Sequence, residues 1–285
     1  MTTPVPRSRY LTLGGREVHL TEWGDEAGDA LVMWHGLARS GRDFDVAARH
    51  FAGRGVRVIC PDTSGRGLSA WSDHPARDYT IAAYAAQAVE MVEQLGIGTL
   101  AWLGTSMGGL VGMVLAAGAL AGRITRLVLN DIGPEINPAA LQRIRTYATQ
   151  PPVFDTMAGF EAYMRRVYAP FGHLPDPEWR HLAETSVRRR DDGRYTVHYD
   201  PRVMELIADP AAPPEPDRWP EWDAISCPTL VLRGAESDLL PLATTEEMGR
   251  RGPRPRVVAI AGCGHAPALN DPEQLAVLDG FLLGE

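Results

Sequence analysis

The chain has 285 residues, 45% of them hydrophobic and 22% charged, enough for one large α/β domain or two smaller ones with a sizeable core. A net charge of −8 at pH 7 argues against nucleic acid as a partner, and no apolar run of about 18 residues reads as a membrane span. Cys60, Cys227 and Cys263 are odd in number and lack metal-ligand spacing. Together with a polar N-terminus that has no secretory signal, they point to a cytoplasmic protein with reduced thiols.

In chain order, residues 9–13 and 16–23 alternate as two strands around Gly14-Gly15, a hairpin signal. Residues 30–34 form a continuous apolar run, as in a strand buried on both faces, and end in His35-Gly36-Leu37. Residues 43–51 read as a helix and 56–60 as another buried strand, followed by a glycine-rich turn through Gly65 and Gly67. Residues 80–95 carry Ile81, Tyr84, Ala85, Ala88, Met91, Val92 and Leu95 at amphipathic-helix spacing, closed by Gly96. A strand at 99–103, a helix at 110–120 and a strand at 127–129 follow.

From about 135 to 219 no buried-strand run occurs. Helical stretches at 138–148, 157–167, 178–189 and 203–208 are instead separated by proline-rich breaks, which predicts an all-helical insertion. Alternation then resumes with a strand at 229–232, a helix at 243–251, a strand at 257–260 and a last helix at 272–283. The expected fold class is therefore α/β: a mostly parallel central sheet with helices on both faces, formed by 1–134 and 220–285, and an all-helical insertion at 135–219. Ligand sites in such sheets lie at the carboxyl ends of strands.

The chemically capable residues fall at those ends. Gly104-Thr105-Ser106-Met107-Gly108 sits between a predicted strand and a predicted helix. This is the nucleophile-elbow pattern, in which a serine is held on a strained turn above the sheet. At Gly104 and Gly108 a side chain would collide with the neighbouring elements. A serine hydroxyl needs a base within hydrogen-bond reach and a third group to orient that base. His265, in a glycine-rich loop after the last strand, is the candidate base. Asp238, in Arg233-Gly234-Ala235-Glu236-Ser237-Asp238, is the first choice for the acid, with Asp131 and Glu236 as rivals. The N–H groups of Met107 and Leu37 are the candidate oxyanion donors. Arg39, just past the oxyanion loop, is either a substrate-carboxylate anchor or a salt-bridge partner. The arginines at 143, 165, 166, 188, 189 and 190 could also meet a carboxylate, although the run at 188–190 reads more simply as a solvated helix face. Trp34 and Trp102 are candidates for the pocket or the core. No metal site and no cofactor site is argued, since Gly65-x-Gly67 lacks the Lys-Ser/Thr of a phosphate loop.

Five motifs carry a resemblance: His35-Gly36, Asp62-x-x-Gly65-x-Gly67-x-Ser69, Gly104-Thr-Ser-Met-Gly-Gly109, Arg233-Gly-x-x-Ser-Asp238 and Gly264-His-Ala-Pro267. They span residues 10–283 and resemble the α/β-hydrolase superfamily, in its soluble bacterial, esterase-like branch with a helical cap. The resemblance implies a cofactor-independent serine hydrolase acting on a small-molecule carboxylic ester, with the cap covering the site. Serine at position 106 sets the chain apart from the aspartate-nucleophile dehalogenases and epoxide hydrolases. The short 35–38 loop sets it apart from lipases with a Gly-Gly-Gly run. A carbon–carbon bond hydrolase of ring-cleavage products, an enol-lactonase or a thioesterase would use the same triad. A cofactor-free haloperoxidase would share the fold, and so would a non-catalytic ligand receptor.

Overall fold

The computed structural model describes residues 4–140, 151–204 and 217–284. Among them, eight strands form one sheet in the order β1-β2-β4-β3-β5-β6-β9-β10. The strands are β1 (Arg7–Leu13), β2 (Arg16–Trp23), β3 (Ala30–Trp34), β4 (Arg57–Pro61), β5 (Leu100–Thr105), β6 (Ile124–Asn130), β9 (Thr229–Gly234) and β10 (Arg256–Ile260). β1 and β2 form the expected hairpin, and β2 also runs antiparallel to β4. Every pairing from β4 to β10 is parallel.

The order of the strands locates the site before any side chain is considered. From β3 the chain goes first to β4 on one side, then crosses to β5 on the other. Connections therefore diverge at β3 and β5, and the crevice of a parallel sheet opens at such a switch point, above the carboxyl ends. His35 follows β3 and Ser106 follows β5 at this point.

Alternation along the buried strands builds the core. Leu31, Met33, Val58, Cys60, Leu103 and Val128 pack on one face of the sheet. Val32, Trp34, Ile59, Trp102, Leu127 and Leu129 pack on the other. A side-chain period of two makes each apolar run feed both layers, which is why these strands read as continuous rather than alternating sequences. The helix Ile81–Gln94 starts where Thr80 accepts a hydrogen bond from the Ala83 N–H, and its Tyr84, Ala85, Ala88, Met91 and Val92 are buried. Trp34 and Trp102 stack with centroids 5.3 Å apart in the layer beneath the strand ends. Both are essentially fully buried, at 1% and 0% exposure. They belong to the core rather than to a substrate pocket: they face the helical layer, and Trp102 donates through Nε1 to the Gly108 carbonyl at 3.0 Å.

The insertion between β6 and β9 departs from the all-helical expectation. Its helix at Met157–Val167 falls where predicted. The predicted helix at 178–189 is instead a helix at Asp176–Glu184 followed by β7 (Val187–Arg189), which pairs antiparallel with β8 (Tyr195–Val197). The arginine run therefore lies on a short ribbon. Its turn runs through Asp191, Asp192 and Gly193, and no apolar pattern marks the strands on either side. The helices predicted at 138–148 and 203–208 lie largely outside the described residues, as does Arg143. A 3-10 turn occupies Pro201–Val203. No described helix is long and apolar enough to cross a membrane, and all three cysteines are free.

Two buried histidines tie loops to this frame. His35 accepts from the Thr63 N–H at 2.9 Å through Nε2 and donates through Nδ1 to the Gly36 carbonyl at 2.6 Å. His198, from the insertion, accepts from the Gly67 N–H at 2.9 Å through Nδ1. Burial is the chief reason that His35 is pushed down to about 3 and His198 to about 4, with the charges of Arg39 and Arg66 adding to the effect at His198. Both are neutral in the folded chain. Between the ordinary histidine value and these lowered ones the unfolded chain binds more protons, so their contribution is lost as pH falls below about 6.5. The wild type should lose about 2 kcal/mol more than His198→Asn between pH 7 and pH 5, measured by urea unfolding at both values. Equal losses in the two proteins would disprove a buried neutral His198.

Candidate active site

The serine stands on a turn that the sequence makes steric room for. Ser106 has φ 52° and ψ −115°, a conformation that costs a non-glycine residue about 1–3 kcal/mol. Its N–H donates to the Asn130 carbonyl at 3.0 Å, and its carbonyl accepts from Gly109 and Leu110 at the start of the helix Met107–Ala117. Those bonds hold the turn. A Cβ on Gly104 would lie 2.2 Å from the Gly108 carbonyl oxygen, and one on Gly108 would lie 2.0 Å from that of Trp34. Only bare backbone at both positions lets this helix descend onto β3 and β5.

Above the turn, Ser106 Oγ lies 2.9 Å from His265 Nε2, and His265 Nδ1 lies 2.7 Å from Asp131 Oδ2. The carboxylate can only accept, so Nδ1 carries the ring proton and Nε2 is left to take the serine proton. Asp131 is fully buried. Its Oδ1 accepts from the Gly234 N–H at 2.8 Å, and Oδ2 also accepts from the Ser237 hydroxyl at 2.6 Å. The acid is thus aimed by three donors from two different loops.

This corrects the assignment of the acid to Asp238. After β9 the chain turns so that Ser237 points inward to Asp131, and Asp238, the next residue, is carried outward and is exposed. Glu236 is exposed as well, and its N–H donates to the Cys263 carbonyl at 2.9 Å. Asp131 instead leaves β6, the strand adjacent to the serine's own strand, with φ 56°. That left-handed step turns its side chain across the strand end to the histidine. Asn130 beside it donates to Thr105 Oγ1 at 3.0 Å and to the Pro267 carbonyl at 2.9 Å. One dipeptide therefore fixes both the serine strand and the histidine loop. Ser237 and Asn130 were not singled out from sequence. The signal for Asn130 was its place at a buried strand end, and for Ser237 its place in the Arg233-Gly-x-x-Ser-Asp238 motif.

The cleft at Ser106 is lined by Leu37, Arg39, Asp43, His265 and, from the insertion, Tyr168 and Phe171. Its volume is about 80 Å³. Leu37 lines the cleft beside the serine, an ideal Cβ on the preceding Gly36 would sit 3.7 Å from Ser106 Cβ, and Met107 is the first residue of the elbow helix. The N–H of a first helical residue has no partner inside the helix, and the helix dipole favours negative charge there. Arg39 is buried, donates twice to Asp43 at 2.8 and 2.5 Å, and lies 4.5 Å over the Tyr168 ring. Burial opposes its charge, but Asp43 outweighs that and holds the guanidinium charged. The cleft meets a compensated ion pair at this point rather than a bare cation. The insertion is fastened to the histidine loop on both sides of His265, through Gly264 N–H to the Pro170 carbonyl at 2.7 Å and Ala268 N–H to the Phe171 carbonyl at 3.2 Å. Among the described residues no group of three or more His, Cys, Asp or Glu side chains is placed to hold a metal ion.

Comparison with known proteins shows the family of the fold. The chain is 39% identical over 271 residues to the 3-hydroxybutyrate-oligomer hydrolase of Cupriavidus necator, covering 92% of each chain. It is 26% identical to Esterase Rv0045c of Mycobacterium tuberculosis, over 95% of this chain and 87% of the other. An alpha/beta hydrolase crystal structure from Novosphingobium aromaticivorans superposes with a TM-score of 0.88 at 34% identity, over 99% of both chains. Residues 31–278 match the model of the alpha/beta hydrolase family. The chain belongs to that family.

Proposed function

We propose that the chain is a serine hydrolase that cleaves carboxylic esters of short hydroxyalkanoic acids through an acyl-enzyme, oligomers of 3-hydroxybutyrate being the leading substrates. The observation that carries the mechanism is the unbroken hydrogen-bond line Ser106–His265–Asp131 at 2.9 and 2.7 Å. The substrate class is supported by the 39% identical relative, whose activity is on 3-hydroxybutyrate oligomers.

In this reading Ser106 Oγ attacks the ester carbonyl and its proton passes to His265 Nε2. Asp131 orients the ring and stabilises the imidazolium that forms. The oxyanion is held by the Leu37 and Met107 N–H groups, helped by the amino end of the elbow helix. His265 then protonates the leaving alkoxide and takes a proton from the water that releases the acid. The small volume of the cleft, lined on one side by Tyr168 and Phe171, favours short acyl groups. The balanced Arg39–Asp43 pair offers donors and acceptors to an ester chain without demanding a free carboxylate.

The test is hydrolysis of p-nitrophenyl esters from acetate to decanoate, beside dimers and trimers of 3-hydroxybutyrate, for the wild type and Ser106→Ala. Expected are an optimum at short acyl chains, release of 3-hydroxybutyrate, and loss of turnover by at least about 1,000-fold in the variant. A folded wild type inactive on all of these esters would end the esterase reading.

The two candidate acids separate in a second experiment. Asp131→Asn keeps the size of the side chain but loses the charge and the preferred tautomer, so kcat should fall by about 10,000-fold. Asp238→Asn should stay within about twofold of wild type. The reverse pattern would return the role to Asp238.

A further inference from the structure

Arg66, in the glycine-rich turn after β4, is fully buried and lies outside the triad. Its guanidinium fork reaches both the loop after β3 and the helix after β5. Nε donates to the Leu37 carbonyl at 2.9 Å, and Nη2 donates to Met107 Sδ at 3.6 Å. Nη1 donates to the Ser64 carbonyl at 2.8 Å and to Tyr84 Oη at 2.5 Å. The cation is sandwiched near the rings of Tyr84 and Tyr79, at 5.0 and 5.6 Å. Among the described residues its hydrogen-bond partners are carbonyls, a hydroxyl and a thioether, and none is a carboxylate.

We propose that Arg66 is the positioning residue of the oxyanion hole and its fixed counter-charge, gripping Leu37 and Met107 from below and facing the negative oxygen formed above them. The proposal rests on the serine-hydrolase reading. Three observations carry it beyond that reading. First, the same side chain touches both residues whose N–H groups would bind the oxyanion, although they lie on separate loops. Second, both carbonyls of the oxyanion loop are taken from behind, Gly36 by His35 and Leu37 by Arg66. That fixes the orientation of the intervening peptide without using the Leu37 N–H. Third, Asp62 and Asp200 lie near enough to share neighbours with Arg66, yet neither is hydrogen-bonded to it, and a buried guanidinium not directly paired is costly in the resting chain. A negative oxygen forming above Leu37 and Met107 adds an attraction that the resting chain lacks, which is the differential stabilisation that speeds a reaction. A lysine could supply the charge but not the three-way reach of a planar fork.

The test compares wild type, Arg66→Lys and Arg66→Met on p-nitrophenyl acetate, with inhibition by a small alkylboronic acid. Ser106 Oγ adds to the boron to give an anionic tetrahedral adduct, its proton passing to His265. Arg66→Met should lower kcat by roughly 100-fold, with KM within about threefold. Boronate affinity should fall in step with kcat, and Arg66→Lys should recover about tenfold of the loss. Unchanged kcat or boronate affinity in folded Arg66→Met would overturn the proposal, as would a loss confined to KM. If the variants do not fold, the wild type still decides. The 15N-edited NMR signal of Arg66 Nε–H should shift when the boronate adduct forms, and a signal that stays in place refutes the counter-charge. Turnover retained in Ser106→Ala would defeat the hydrolase reading itself. An inactive Ser106→Ala beside a fully active Arg66→Met would defeat this inference alone.

Discussion

Everything at the strand ends depends on one steric condition: the helix Met107–Ala117 must lie so close to β3 and β5 that no Cβ fits at Gly104 or Gly108. The approach is what forces Ser106 into its left-handed turn. Were the helix to lift by the width of a methyl group, the turn could relax, and Oγ would leave its line to His265. The strain of about 1–3 kcal/mol is offset locally by the bond from Ser106 N–H to the Asn130 carbonyl and by burial of the helix's apolar side chains. Trp102 shows how tightly the parts interlock. It fills the layer under the turn and also satisfies the Gly108 carbonyl.

A second constraint acts across the sheet. Asn130 and Asp131 sit in sequence at the end of β6, and the side chains of both reach the histidine loop. Asn130 holds Thr105, beside the serine, and Pro267, beyond the histidine. Asp131 holds His265 and receives Gly234 and Ser237 from the end of β9. Three loops that are far apart in sequence are thus pinned by two adjacent residues at a rigid strand end. The carboxylate's four acceptor sites are well used, which leaves its charge little freedom to rotate away from the histidine.

The fold, and the meeting of Ser106 with His265, were legible because they rest on local rules. Continuous apolar runs marked β3, β4 and β5. The Gly-x-Ser-x-Gly spacing marked the elbow, and the final strand marked His265. The acid was not legible, because Asp131 and Asp238 both follow strands. What decides between them is the strand order, in which β6 neighbours β5, and the inward turn of Ser237, neither of which sequence spacing encodes. Trp34 and Trp102 were ambiguous for a related reason. An apolar aromatic near a strand end faces either the crevice or the helical layer, according to a one-residue alternation. The ribbon Val187–Val197 was missed because short exposed strands carry no apolar period, and arginines suit a solvated helix equally well.

The division of labour between sheet and insertion follows from the same physics. Groups that must be held to a few tenths of an ångström sit at strand ends, where backbone ladders fix them. Groups that shape the cleft, such as Tyr168 and Phe171, come from the insertion, where loops can vary without disturbing the ladders. Yet the two are not independent here. The carbonyls of Pro170 and Phe171 accept bonds from Gly264 and Ala268, one on each side of His265, and Gly172 is packed so closely that a Cβ there would lie 2.6 Å from Cys263 Sγ. Any displacement of this strap removes the support on both flanks of the histidine loop. The insertion's side of the cleft and the position of His265 are therefore set by one set of hydrogen bonds, so a change in the insertion that widens the cleft also acts on the Ser106–His265 distance.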